Sequence, residues 1–113
     1  MKLDTTAHDG TMIVTVSEVR IDAAVAIQFK DAMRAATENG PDHIILDMSG
    51  VLFVDSSGLG AIVALKKQLG AWRKLDLAGL TPDVAKVFRL TRMDSVFDIF
   101  EKVTDAVNLR AAG

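Results

Sequence analysis

The chain has 113 residues, half of them hydrophobic and a quarter charged, and at this length one core suffices, because folding buries roughly two-thirds of the surface that the unfolded chain exposes. The absence of cysteine and a formal net charge of −2 exclude thiol catalysis, zinc ribbons and iron–sulfur clusters, fit a reducing compartment, and leave no electropositive field for collecting nucleic acid. No apolar run approaches the roughly 20 residues of a membrane span and residues 1–12 lack a signal-peptide core, so a single-domain, soluble, cytoplasmic protein with no direct membrane contact is expected.

In chain order, Met12, Val14 and Val16 alternate with polar neighbours as in a strand with one better-buried face. The preceding Asp9-Gly10 is a hairpin-type turn, which predicts that residues about 2–8 run antiparallel to 11–17. Val25, Phe29, Ala32, Met33 and Ala36 share one helical face, with Asp22 expected as the N-cap and Asn39-Gly40-Pro41 as the stop. His43 to Met48 is a short, nearly continuous apolar run that suits a central strand covered on both faces. Leu59, Ile62, Val63 and Leu69 predict a second helix over 57–69 that ends at Gly70. Residues 75–78 resume strand alternation, and Thr81-Pro82-Asp83 opens a third helix over about 82–90. Val96, Phe97, Ile99 and Phe100 fit either a short strand or a helix start, and a terminal helix is expected over about 102–110.

Strands separated by helices of this length predict an α/β fold with parallel pairs. In such a sheet, sites gather where a strand end feeds a helix N-terminus, which is where Asp55-Ser56-Ser57-Gly58 falls. Several chemistries fail on residue supply. The two histidines, His8 and His43, have no convergent ligand set for a metal. Gly58-Leu59-Gly60 is not followed by the Lys-Ser/Thr of a phosphate loop. Neither Ser56 nor Ser57 has the flanking glycines of a hydrolase elbow, and His43 is expected at the opposite end of the sheet. What remains is a hydroxyl pair at a helix mouth, flanked by Asp22 and Asp55. A serine there can simply cap the helix, and Asp22 can do the same for the first helix. Gly58 and Gly60 are costly inside a helix, each by up to about 1 kcal/mol relative to Ala. Close approach of another molecule or tight packing on the sheet would explain them.

Residues 45–60, Ile-Leu-Asp-Met-Ser-Gly-Val-Leu-Phe-Val-Asp-Ser-Ser-Gly-Leu-Gly, closely resemble the signature of STAS domains, and the single-domain bacterial anti-sigma factor antagonists are the most similar members. Arg20-Ile21-Asp22-Ala23 upstream, then Leu77-Ala78-Gly79-Leu80, residues 87–91 and Phe97-Asp98-Ile99-Phe100 downstream, extend the resemblance over almost the whole chain. It implies a mixed sheet of about four to five strands with helices packed mainly on one side, and favours a short strand at 96–99. It further implies a non-enzymatic partner-switching regulator. In this reading the unphosphorylated chain binds an anti-sigma factor that is also a serine kinase of the histidine-kinase-like ATPase type. That kinase ends the complex by phosphorylating Ser57, and a PP2C-type phosphatase restores it. Asp22, Asp55, Ser56, Ser57, Gly58 and Leu59 are the implied partner-binding residues; the chain itself needs no cofactor, since ATP and Mg²⁺ belong to the kinase. A monomeric free state is implied. The alternative is a non-phosphorylated STAS adaptor subunit of a bacterial ABC-type lipid-transport complex. The chain departs from the family pattern at Val25, where Asn or Thr is common, and at Lys102, where a serine often caps the last helix.

Overall fold

In the computed structural model, which describes residues 1–112 and side chains as far as residue 109, the first strand pair closes on Asp9 and Gly10. Both have positive φ, 47° and 79°, the type I′ combination whose twist matches that of the flanking strands. The turn joins β1 (Leu3–His8) to β2 (Thr11–Val16) in antiparallel register, from Leu3 opposite Val16 to His8 opposite Thr11, as the sequence predicts. A two-residue strand, β3 (Arg20–Ile21), then precedes α1 (Ala26–Thr37). The central strand β4 (His43–Asp47) is followed by a second two-residue strand, β5 (Phe53–Val54), which leads directly into α2 (Ser56–Leu69). The chain continues through β6 (Lys74–Ala78), α3 (Pro82–Leu90), one 3-10 turn (Met93–Ser95), β7 (Ile99–Phe100) and α4 (Val103–Ala112).

The main sheet has the order β1-β2-β4-β6-β7, antiparallel at β1–β2 and parallel elsewhere. β4 lies in the middle, and its residues alternate between two fully buried faces. Ile44 and Leu46 enter the larger core with Phe29 and Met33 of α1, Ile62 and Leu65 of α2, and Val84 and Phe88 of α3. Ile45 faces the other way, onto Ala78 of β6 and Ala106 of α4. Three helices therefore cover one face and α4 the other. α3 has only nine residues, too few for a helix to be stable alone in water. Its hold is tertiary: Phe88 is fully buried and meets Phe97 edge to face with ring centroids 6.1 Å apart, and burying such a side chain contributes about 1.5–3 kcal/mol.

Three expectations change. Asp22 is not the N-cap of the first helix. Its Oδ1 accepts the Ala24 N–H at 3.1 Å and its carbonyl accepts the Val25 N–H at 3.1 Å, so the chain makes a turn over residues 23–25 and α1 starts at Ala26 with Val25 as its N-cap. The short strand near the C-terminus is Ile99–Phe100 rather than 96–99, because Phe97 turns into the main core. The third change is an addition: β3 and β5 pair in parallel as a separate two-stranded sheet.

Candidate functional site

The small sheet is what assembles the site. Arg20 lies opposite Phe53 and Ile21 opposite Val54, so the next residue on each strand is an aspartate, Asp22 or Asp55, and the two emerge side by side. Asp55 then caps α2: its Oδ1 accepts the Gly58 N–H at 2.8 Å, and its Oδ2 accepts the Ala23 N–H at 3.1 Å. One carboxylate thus fastens the first turn of α2 to the turn that begins at Asp22. Asp22 is itself held by Arg20, whose Nε donates to Oδ2 at 3.2 Å, and the Arg20 guanidinium lies over the Phe53 ring at 4.1 Å from its centroid. The Gly58 N–H is the main reason that the Asp55 carboxyl is held below its ordinary range; the N–H groups of Ala23 and Ser57 and the Arg20 charge add to it, against partial desolvation.

Gly58 has a reason of its own. A Cβ there would stand 1.9 Å from the Ile21 carbonyl oxygen, a distance no side chain tolerates, so glycine is what lets α2 sit against β3. Gly60 differs: a Cβ on it would meet nothing within 4 Å. Tight packing on the sheet therefore explains Gly58 and not Gly60, which is exposed on the outer side of α2.

Asp55, and not a serine, is the cap of α2. Since it performs the capping, Ser56 and Ser57 are left as the first two helical residues, exposed, and neither hydroxyl makes a hydrogen bond among the described residues. Leu59 is half-buried, packs against the main core, and donates its N–H to the Asp55 carbonyl at 2.9 Å. Of the six residues singled out from the sequence, Asp22, Asp55 and Gly58 form the frame. Ser56 and Ser57 are presented to solvent, and Leu59 roots the helix.

Sequence reasoning missed the apolar margin of this site. Val19, Leu52 and Phe53 are 53%, 58% and 40% exposed, and Leu52 and Phe53 form one side of a groove completed by Lys86 and Val87 of α3. They flank Asp22 and Asp55 along the chain. The signal was present in the large apolar residues next to each aspartate, but their exposure depends on the small sheet.

A second polar group lies in the interior. His43 Nε2 donates to Asp76 Oδ2 at 2.6 Å, and His43 Nδ1 and Thr11 Oγ1 share a hydrogen bond of 3.0 Å; all three residues are buried. Lys74 Nζ stands 3.4 Å from the other Asp76 oxygen and also pairs with Asp98, and that Asp98 contact is the first cause of a raised Lys74 pKa. Thr11, His43 and Lys74 are register partners across β2, β4 and β6. This network ties together the starts of three strands, whereas Asp55 lies where a strand ends.

Comparison with known proteins agrees with this architecture. The model of the STAS domain matches residues 2–106. BtrV of Bordetella bronchiseptica, named a candidate anti-sigma factor antagonist, is 29% identical over 100 residues, covering 88% of this chain and 85% of the relative. The anti-sigma-F factor antagonist RsfB of Mycobacterium tuberculosis is 23% identical over 100 residues, covering 88% and 81%. Among solved structures, an anti-sigma factor antagonist from Mycobacterium paratuberculosis superposes with a TM-score of 0.85 at 27% identity, over 96% of this chain and 92% of that one. The antagonist SpoIIAA in its unphosphorylated form shares the fold, with a TM-score of 0.68 at 18% identity over 99% of both chains. The chain is a member of the STAS domain family.

Proposed function

We propose that the chain is an anti-sigma factor antagonist that works as a partner switch, with the first turn of α2 as its docking and modification site. The observation that carries this reading is the division of labour at that turn. Asp55 does the capping that a serine would otherwise do, and two hydroxyls are left exposed and unbonded. The relatives named as anti-sigma factor antagonists support the general role.

In the unphosphorylated state the chain binds an anti-sigma factor that is also a serine kinase of the histidine-kinase-like ATPase type. Exposed Val19, Leu52 and Phe53 supply apolar area beside the serines, and Gly60 allows a partner's backbone to approach α2 closely. The kinase brings ATP and Mg²⁺ and transfers the phosphoryl group to the hydroxyl pair, with Ser57 as the acceptor and Ser56 as its neighbour to be tested beside it. A PP2C-type phosphatase reverses the step.

Phosphorylation adds about 1.5 to 2 negative charges and three acceptor oxygens. The helix tolerates them, because the N–H groups and dipole at its N-terminus favour an anion, so the fold should survive modification. Docking is the sensitive step. The new charge joins Asp22 and Asp55, the latter kept ionised by its N–H donors, and a partner surface complementary to two carboxylates must then desolvate a phosphate as well.

The test is binding to the purified kinase. Ser57→Asp should bind at least about tenfold more weakly than wild type, a loss of about 1.4 kcal/mol, while Ser57→Ala binds constitutively in the presence of ATP. A Ser57→Asp protein that bound as tightly as wild type would refute the assignment. If only Ser56→Asp weakened binding, the acceptor would move by one residue and the switch would stand.

A further inference from the structure

Of the two edges of the main sheet, β1 with six residues is longer than β7 with two. β1 has a single neighbour, β2, and every residue from Asp4 to His8 is exposed, while Leu3 alone packs against the core. An edge of this length offers a row of unpaired N–H and C=O groups, a ready template for another strand. We propose that the occupant is a second copy of this chain, joined antiparallel along β1 about a two-fold axis through Thr6.

The turn fixes which backbone groups are available. A type I′ turn over Asp9 and Gly10 makes His8 and Thr11 a hydrogen-bonded pair. Hydrogen-bonded and non-bonded pairs alternate along an antiparallel ladder, so His8, Thr6 and Asp4 direct their backbone groups to β2. Leu3, Thr5 and Ala7 direct theirs outward. A second β1 can use those outward groups only in registers whose two-fold axis passes through a residue and not between two residues.

Charge selects among the registers that remain. Centring the pair on Asp4 places Asp4 opposite Asp4 of the second copy, which is repulsive. Centring on Thr5 places Lys2 opposite His8, a pair with no carboxylate for either side chain. Centring on Thr6 places Asp4 opposite His8 at both ends, so that an imidazole N–H meets a carboxylate twice, with Thr6 opposite Thr6 between them and Thr5 opposite Ala7 supplying the backbone bonds. An N–H donor facing a carboxylate and a Thr–Thr pair are favourable cross-strand combinations.

Both side chains are free to make the change. His8 Nε2 is 3.9 Å from Asp9 Oδ2 with both groups largely exposed, and Asp4 receives only a 3.5 Å contact from Ser17 Oγ. Asp4, Thr6 and His8 lie on the face of β1 turned away from Leu3 and the main core, so the new pairs stay solvated and the association is weak. Self-pairing departs from the free monomer that the family resemblance implies, and it uses no residue of the Asp55 junction.

The absence of cysteine permits a direct register test on the full-length chain. Thr6→Cys should form a disulfide-linked dimer on mild oxidation at least about tenfold faster than Thr5→Cys, because only Thr6 faces itself across a non-hydrogen-bonded pair, where side chains lie closest. Sedimentation velocity of the wild type should show a reversible dimer as the concentration rises towards about 1 mM. Asp4→Lys should weaken it about fivefold, and adding His8→Glu to that variant should restore it. Equal trapping at Thr5 and Thr6, a wild type that stays monomeric throughout, or a dimer indifferent to Asp4→Lys would each overturn the proposal.

Discussion

Two aspartates in this molecule do opposite things. Asp76 is buried and spends one oxygen on a side chain, His43, itself buried and bonded to Thr11. Asp55 lies at the surface end of a strand and spends both oxygens on backbone N–H groups. The first arrangement is closed inside the sheet: among the described residues the second Asp76 oxygen is buried and accepts no hydrogen bond, and faces only the Lys74 ammonium at 3.4 Å. The second satisfies the backbone and by doing so releases two serines. A polar cluster is therefore informative about function when its unbonded groups reach solvent, as Ser56 and Ser57 do, and informative about stability when they are shut inside, as at Asp76.

The contrast can be broken first at the buried end. His43→Ala should destabilise the chain by about 3–5 kcal/mol, since it leaves the Asp76 carboxylate buried without its partner, and urea unfolding at neutral pH measures this. The double variant His43→Leu with Asp76→Leu should recover much of that loss, because replacing both partners of a buried polar pair by apolar residues is often neutral. In both, binding to the proposed kinase partner by whatever folded protein remains should be unchanged.

At the junction, Gly58→Ala should cost about 1–3 kcal/mol, because its Cβ would stand 1.9 Å from the Ile21 carbonyl oxygen and β3 must move to admit it. This variant should also impair partner binding, since β3 positions Asp22. Gly60→Ala makes the sharper comparison. With nothing within 4 Å of its Cβ, it should stabilise the free chain by about 0.5–1 kcal/mol and yet weaken the complex, as isothermal titration against the kinase would show. A gain in stability with unchanged affinity would remove Gly60 from the docking surface.

The smallest effect concerns pH. Asp55→Asn, whose amide oxygen can still accept the Gly58 N–H while its amide nitrogen faces the Ala23 N–H, should lower the melting temperature at neutral pH by about 2 °C. The folded-state pKa of Asp55 is depressed, so its contribution is present above the ordinary carboxylate range and disappears as pH falls through the depressed value. The gap between wild type and Asp55→Asn should accordingly narrow in acid. Lys74, whose pKa is raised, behaves in the opposite sense: its contribution is complete below the ordinary lysine range and is lost as pH rises through the raised value.

Much of the fold was legible because its elements are long relative to their periods. The continuous run at His43–Asp47 announced the central strand, and the Asp9-Gly10 pair announced the hairpin. The small sheet was not legible, since two residues carry no period, and with it went the reason that Asp22 and Asp55 meet. Asp22 departs from expectation for a related cause: an aspartate that closes a turn before a helix looks in sequence like one that caps the helix. Ser56 and Ser57 were correctly placed at the helix mouth, yet only the bonds of Asp55 show that capping does not need them. The His43–Asp76 pair spans 33 positions and left one sign, a polar residue set within each of two apolar strands.

The most direct test of the central claim is phosphosite mapping by mass spectrometry of the protein isolated from its own cells, before and after treatment with a serine phosphatase. The account predicts a phosphatase-sensitive phosphate in the Ser56-Ser57 pair, assigned to Ser57, with an occupancy that changes between growth and stress. A pair that stays unmodified under all those conditions would contradict it and turn the reading towards a STAS adaptor that binds without being switched.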